Sequence, residues 1–241
     1  MVKIWCSRSD ASKEAIVAAV TKAAGRKTLY HFTRVSNMPA IARLDTLFAS
    51  HQAAPGLNGE RREAPRTIRL AEEWVTINAH LRIAPSMFAP GVTPEQFRAC
   101  LDRHVFFWPT KRDCLKMLET YSRREPGERF AVLACEAAAL ILAHFDRVKL
   151  SKYDSGSSPR YPNSCSYRKT PEMLLPIGQF GKVSANLVPT APSQIKEVLV
   201  EGQVTGMASW VRTVYVDEGD IPLPEEWQAK RALLRAWTAE P

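Results

Sequence analysis

Leu29-Tyr30-His31-Phe32-Thr33-Arg34-Val35-Ser36-Asn37-Met38-Pro39-Ala40-Ile41 reads as a strand, a polar turn and the opening of a helix. Residues 28–33 are aromatic and β-branched enough for a strand. Ser36 and Asn37 have capping side chains, and Pro39 suits a first helical turn. Ile41, Leu44 and Phe48 then recur at helical spacing. His31 and Thr33 stand two apart, so on a strand they share a face. With Asn37 at the helix start, the three are placed to meet one ligand. The competing reading of His31 is a buried histidine satisfied by backbone.

Working outward, the chain has 241 residues, 45% apolar and 9% aromatic, enough for one large domain with a proper core. Its formal charge of +8 and pI near 9.4 favour a polyanionic partner. Cys6, Cys100, Cys114, Cys135 and Cys165 are scattered and odd in number, with no Cys-x-x-Cys pair. This spacing points to no disulfide framework and no zinc cluster, and to reduced thiols in a cytoplasm. The first eight residues lack the apolar run of a signal peptide. Apolar runs of about 18 residues are missing as well, so no membrane span is expected. Neither Gly-x-Gly-x-x-Gly nor a P-loop occurs, which removes the Rossmann and ATP-cradle readings.

Residues 9–24 read as a helix capped by Ser9 or Asp10, with Ala15, Ile16, Ala19, Val20 and Ala23 inward and Gly25 as its stop. The N-terminal 27 residues thus form a helical cover. Residues 52–69 read as a loose basic loop carrying Arg61, Arg62, Arg66 and Arg69, either a solvated face or a mobile segment near a phosphate. A strand is expected within residues 73–83. A Thr93-capped helix follows to about Asp102, then an apolar strand from His104 to Trp108 and an amphipathic helix from Thr110 to Tyr121. Beyond these come a strand at 130–135, a helix at 136–145 and a strand at 147–151. Residues 153–170 turn to Ser, Gly, Pro, Arg and Tyr, a long loop within a single domain. Strands at 196–201 and 212–216 and a C-terminal helix over 222–241 complete the pattern. Short strands with segregated helices predict an α+β domain rather than βαβ units.

Three of these segments together carry a family resemblance. Tyr30-His31-Phe32-Thr33 followed by Asn37-Met38-Pro39-Ala40-Ile41 resembles the N-terminal signature of the DarT-type ADP-ribosyltransferases. Val105-Phe106-Phe107-Trp108-Pro109-Thr110, a later Ser-Gly segment and Ile195-Lys196-Glu197-Val198-Leu199-Val200 are similar, in this order, to an uncharacterised bacterial branch of the same superfamily. The resemblance covers residues 28–216. It implies a split β-sandwich with NAD, as substrate, in the cleft between two sheets, and no metal. It also implies that Tyr30, His31, Thr33 and Asn37 bind the nicotinamide end. Phe107 or Trp108 would stack on the ring, and strand alternation lets only one of them face the cleft. The family's arginine has no fixed register here, although Arg66 and Arg69 qualify. A toxin or phage-defence effector with an antitoxin partner is the implied biological setting.

Breaking the glycosidic bond of NAD passes through an oxocarbenium-like state, which needs binding, orientation and one carboxylate. Glu197 has the family's position just before the apolar run. Glu201 shares its strand face, and a surface glutamate at a strand start is the competing reading. The basic charge and the loops at 60–69 and 160–169 point to a nucleic-acid acceptor, single-stranded because an attacked base edge must be unstacked. Two other functions stay open. One is an RNA 2′-phosphotransferase-like NAD enzyme, and the other an inactive basic nucleic-acid-binding domain.

Overall fold

A computed structural model describes residues 8–217, 219 and 221–239. Cys6 and the rest of the first seven residues lie outside the described residues, as do the side chains of Ser9 and Asp10, the expected caps. The elements run in the order α1 (Arg8–Thr21), β1 (Thr28–Arg34), α2 (Met38–Leu44), β2 (Thr46–Phe48), α3 (Ser50–Ala53), β3 (Arg66–Leu70), β4 (Glu73–Ile77), α4 (Pro94–Asp102), β5 (His104–Phe107) and α5 (Lys111–Arg124). Then follow β6 (Phe130–Glu136), α6 (Ala137–Ala143), β7 (Val148–Ser151), β8 (Leu174–Pro176), β9 (Glu197–Glu201), β10 (Gln203–Thr205), α7 (Met207–Trp210), β11 (Val211–Tyr215), α8 (Glu225–Gln228), β12 (Arg231–Ala232) and α9 (Leu234–Ala239).

Two four-stranded sheets organise the α+β domain, ordered β1-β6-β11-β12 and β5-β9-β7-β8. Their facing sides share one core. Leu29 and Leu133 from the first sheet meet Val105, Phe107, Val198 and Val200 from the second, with Leu140 and Ile141 of α6 beside them. Both outer sides are covered too. α5 packs Met117, Leu118 and Tyr121 against Phe32 and Val132, and α4 sets Phe97 and Leu101 against Leu199. Strands covered on both faces read as continuous apolar runs, which is why residues 130–135 of β6 are Phe-Ala-Val-Leu-Ala-Cys, all buried. This is the split β-sandwich that the family resemblance implies, within the α+β class that the strand and helix pattern predicts.

The two sheets touch edge to edge at one rung. Tyr30 and Trp108 exchange both backbone hydrogen bonds, at 2.9 and 2.8 Å, and beyond that bridge β1 and β5 belong to different sheets.

Several boundaries differ from the sequence expectation. α2 stops at Leu44 because Asp45 takes a left-handed φ of 48°, a conformation aspartate tolerates. Asp45 is held there by accepting the N–H groups of Met207 and Ala208, so Phe48 falls in β2. The α1 face is centred on Val17 and Val20, with Ala15 and Ala19 exposed. Within the expected basic loop, residues 66–70 form a strand paired in register with β4. The expected C-terminal helix is two short helices separated by β12. The Thr93 expectation holds in full: its side chain and that of Gln96 form a reciprocal capping box at the start of α4. No helix among the described residues is long and apolar enough to cross a membrane.

Candidate functional site

The parting of the two sheets creates an unpaired backbone group. Past the Tyr30–Trp108 rung, the next antiparallel partner of β1 would accept at the Phe106 carbonyl. The His31 ring fills that role instead, with Nδ1 donating to Phe106 O at 2.8 Å. A carbonyl only accepts, so Nδ1 carries the proton and Nε2 is left as an acceptor. Burial lowers the His31 pKa to about 4, partly offset by that bond, so the ring is neutral at physiological pH.

Thr33, on the same face, is buried. Asn37 reaches back toward it, 3.4 Å from Nδ2 to Thr33 Oγ1. The Asn37 amide is otherwise engaged like a strand residue. Its Oδ1 accepts from Thr76 N at 2.7 Å and its Nδ2 donates to Thr76 O at 3.0 Å. That pairing docks the β3–β4 hairpin over the mouth of the parting.

Under the hairpin lies a cavity of about 270 Å³, near the lower end of the small-molecule range. His31, Thr33, Phe106, Trp108, Ile77 and Glu197 are among its walls, and Asn37 also borders it. Strand parity explains Phe106. It lies opposite Leu199 on the outer face of the second sheet, whereas Phe107 points into the inter-sheet core and is fully buried. The cavity is therefore lined by Phe106 and Trp108 and not by Phe107, although the Phe107 ring sits 5.6 Å from that of His31. Tyr30 likewise turns away, to the opposite face of β1, and packs 5.3 Å from Trp237.

Glu197 opens β9 and is 2% exposed. The loop expected at 153–170 supplies its partners, for Ser155 N and Oγ both donate to Oε2, at 3.1 and 2.6 Å. Burial, and then the neighbouring Asp154 charge, push the Glu197 carboxyl above the usual range. The two Ser155 bonds and Lys169 pull in the opposite direction. Lys169 donates from Nζ to Asp154 O at 2.7 Å and Ser155 O at 2.8 Å, from a site with no exposure.

At the other end, Asp102 closes the cavity. Its oxygens accept from Arg62 Nη1 and Nη2 at 3.0 and 2.6 Å, from Ser50 Oγ at 2.9 Å and from Gly59 N at 3.1 Å. His80 Nε2 lies 3.1 Å from Oδ1. Burial works to raise the Asp102 pKa, yet these bonds and the Arg62 charge hold it well below the usual carboxylate range. Arg62 is thus not part of a solvated basic face. Arg61, Arg66 and Arg69 are exposed, with Arg69 paired to Glu72 and Arg61 to Glu63.

Sequence reasoning passed over Phe106 and Asp102, and read Lys169 only as the end of a basic loop, whereas it is buried. Phe106 was within reach of a parity argument, while neither the burial of Lys169 nor the role of Asp102 carried a local signal.

Three solved structures are similar in outline. Thermus sp. 2.9 DarT in complex with NAD+ is 14% identical with a TM-score of 0.42, over 88% of this chain and 97% of that one. The same protein in complex with ADP-ribosylated ssDNA is 15% identical at 0.42, over 88% and 96%. In complex with carba-NAD+ it is 14% identical at 0.39, over 80% and 83%. No curated protein matches the chain. Residues 27–211, well over half of the chain, match a family described as of unknown function, DUF7002, and the chain belongs to that family.

Proposed function

We propose that this protein is an NAD-dependent ADP-ribosyltransferase acting on a single-stranded nucleic acid. The observation that carries the reading is the meeting of a neutral His31 and a buried, serine-held Glu197 on one aromatic-walled cavity, where the two sheets part. The motif resemblance described above supports it. The nicotinamide end of NAD enters between Phe106 and Trp108, with His31 Nε2 accepting from its amide or a ribose hydroxyl and Thr33 adding a hydroxyl. Asn37 acts indirectly, by holding the hairpin roof.

In the transfer, the bond between the ribose C1′ and the nicotinamide nitrogen breaks and its electron pair leaves with nicotinamide. Positive charge grows on the ribose, and the Glu197 carboxylate stabilises it and holds a ribose hydroxyl. A nitrogen or oxygen of the acceptor bonds to C1′ and gives up its proton, to Glu197 or to water. Only the ionised carboxylate serves, so the rate should climb with pH through a range above that of an ordinary glutamate. The acceptor reading is supported by the +8 charge and by exposed Arg61, Arg66 and Arg69 beside the roof.

The test is incubation of the protein with radiolabelled NAD and separate single-stranded DNA, RNA and protein pools. Label is expected in a nucleic-acid pool, and Glu197→Gln should remove about two to three orders of magnitude of it while folding persists, as loss of one preorganised charge does. Transfer in Glu197→Gln at the wild-type rate would overturn the catalytic assignment. Label solely in protein would overturn the acceptor.

A further inference from the structure

Glu197 stands at the first position of a strand, and its clamp comes from a loop rich in serine and glycine. Something must keep that loop in place, and Lys169 does so from its far end. The Lys169 backbone is fixed to residues 87–89: its N–H donates to Met87 O at 2.6 Å and its carbonyl accepts from Ala89 N at 3.0 Å. Its ammonium reaches back across the loop to the carbonyls of Asp154 and Ser155, and lies 5.9 Å from the centre of the buried Phe97 ring. Taking an ammonium out of water without a counter-charge is unfavourable, so a site like this one calls for an anion. Asp154 and Glu197 are the carboxylates in electrostatic reach. Asp154 is engaged by Ser157, whose N and Oγ donate to its two oxygens at 3.2 and 2.6 Å. Glu197 is left as the carboxylate that faces a cavity.

We propose that Lys169 is the positioning residue of this site: its buried ammonium fixes the Asp154–Ser155 backbone from which Glu197 is held, and sets beside that backbone a positive charge that favours ionisation of Glu197. The proposal rests on the reading of Glu197 as the reactive carboxylate. The groups that face this pair are Asp154, Tyr167 and Cys165 from the loop, with neutral His31 on the cavity wall. Asp154 opposes ionisation of Glu197 and Lys169 favours it. Removing Lys169 therefore leaves the carboxyl with Asp154 as its dominant charged neighbour.

The experiment follows the side-chain carboxyl carbon of Glu197 by NMR in carbon-13-labelled protein, identified by its loss in Glu197→Gln. In Lys169→Met the Glu197 titration midpoint should move up, each unit of rise being a tenfold gain in proton affinity. The acid limb of the transfer rate should move with it. Lys169→Arg, which keeps the charge, should restore part of that shift. A folded Lys169→Met with an unmoved Glu197 midpoint would overturn the proposal. If Lys169→Met does not fold, the reciprocal measurement decides. The Lys169 Cε midpoint in Glu197→Gln should fall, because the ammonium loses its anion, and an unmoved Lys169 midpoint would overturn the proposal in that case. Wild-type protein that transfers nothing from NAD would sink the transferase reading alone, since both NMR titrations still report on the pair.

Discussion

Asp102→Asn should be the most damaging conservative change near the cavity, although Asp102 touches no proposed substrate atom. The carboxylate is 3% exposed and takes two bonds from Arg62, one from Ser50 and one from Gly59, with His80 beside it. An asparagine keeps one acceptor oxygen, and an NH2 group in place of Oδ2 faces the Arg62 guanidinium and the Gly59 N–H, neither of which can accept from it. Arg62, itself 5% exposed, is then a buried guanidinium without its counter-charge. Breaking one partner of such a pair costs about 3–5 kcal/mol. For a domain of this size that corresponds to a fall in Tm of roughly 6–20 °C. Urea unfolding followed by circular dichroism measures the difference directly, with an unchanged m-value showing that stability alone has moved. The pH dependence gives a second reading of the same bond. The folded chain holds Asp102 ionised below its ordinary value of 3.8, so the unfolded chain binds the proton more readily. Stability from this group is full above 3.8 and is lost as pH falls through that value toward the depressed one. The wild type should therefore lose stability below about pH 4 more steeply than Asp102→Asn does. A variant destabilised by less than about 1 kcal/mol, the range of an exposed pair, would refute the argument.

Three other outcomes follow from the same geometry. Phe107→Ala should cost about 3–5 kcal/mol as a fully buried ring, while Phe106→Ala should cost less stability and more NAD affinity; calorimetry and melting on both variants separate the two faces of β5, and the opposite ranking would reverse the assignment of the cavity wall. His31→Ala should weaken NAD binding by at least about two- to tenfold, the worth of one hydrogen bond to the ligand, because the ring that fills the Phe106 rung is lost with it. Because the ring stays neutral, affinity should show no His31 inflection between about pH 5 and pH 8, and a clear one in calorimetry would mean a charged ring. Replacing Arg61, Arg66 and Arg69 together by alanine should flatten the salt dependence of nucleic-acid binding and slow acceptor modification, while leaving NAD hydrolysis unchanged; equal salt slopes in wild type and variant would make that surface a solvated face.

What the sequence disclosed depended on how far apart the partners lie. The α4 start was legible because Thr93 and Gln96 cap each other within one turn. The strands β6 and β9 were legible because burial on both sides leaves an unbroken apolar run. Pairing across the chain was not. Arg62 meets Asp102 forty residues on, and Ser155 meets Glu197 forty-two residues on. Neither residue type announces such a partner, so Arg62 read as one member of a basic loop. Trp74 and Val75 were expected in a strand, yet its partner at residues 66–70 was hidden among arginines, because an exposed hairpin needs little apolar content. The choice between Phe106 and Phe107 turned on parity alone, and parity is set by which face the neighbouring strand buries.

The bond from His31 to Phe106 also makes the imidazole a spacer. The ring occupies the place of a backbone rung, so the width of the opening between the sheets is set by a side chain. Opening the sandwich and lining it are thus one residue's work, and they cannot be lost separately by substitution at position 31. Persistence of this histidine in a related chain would therefore mark an open sandwich.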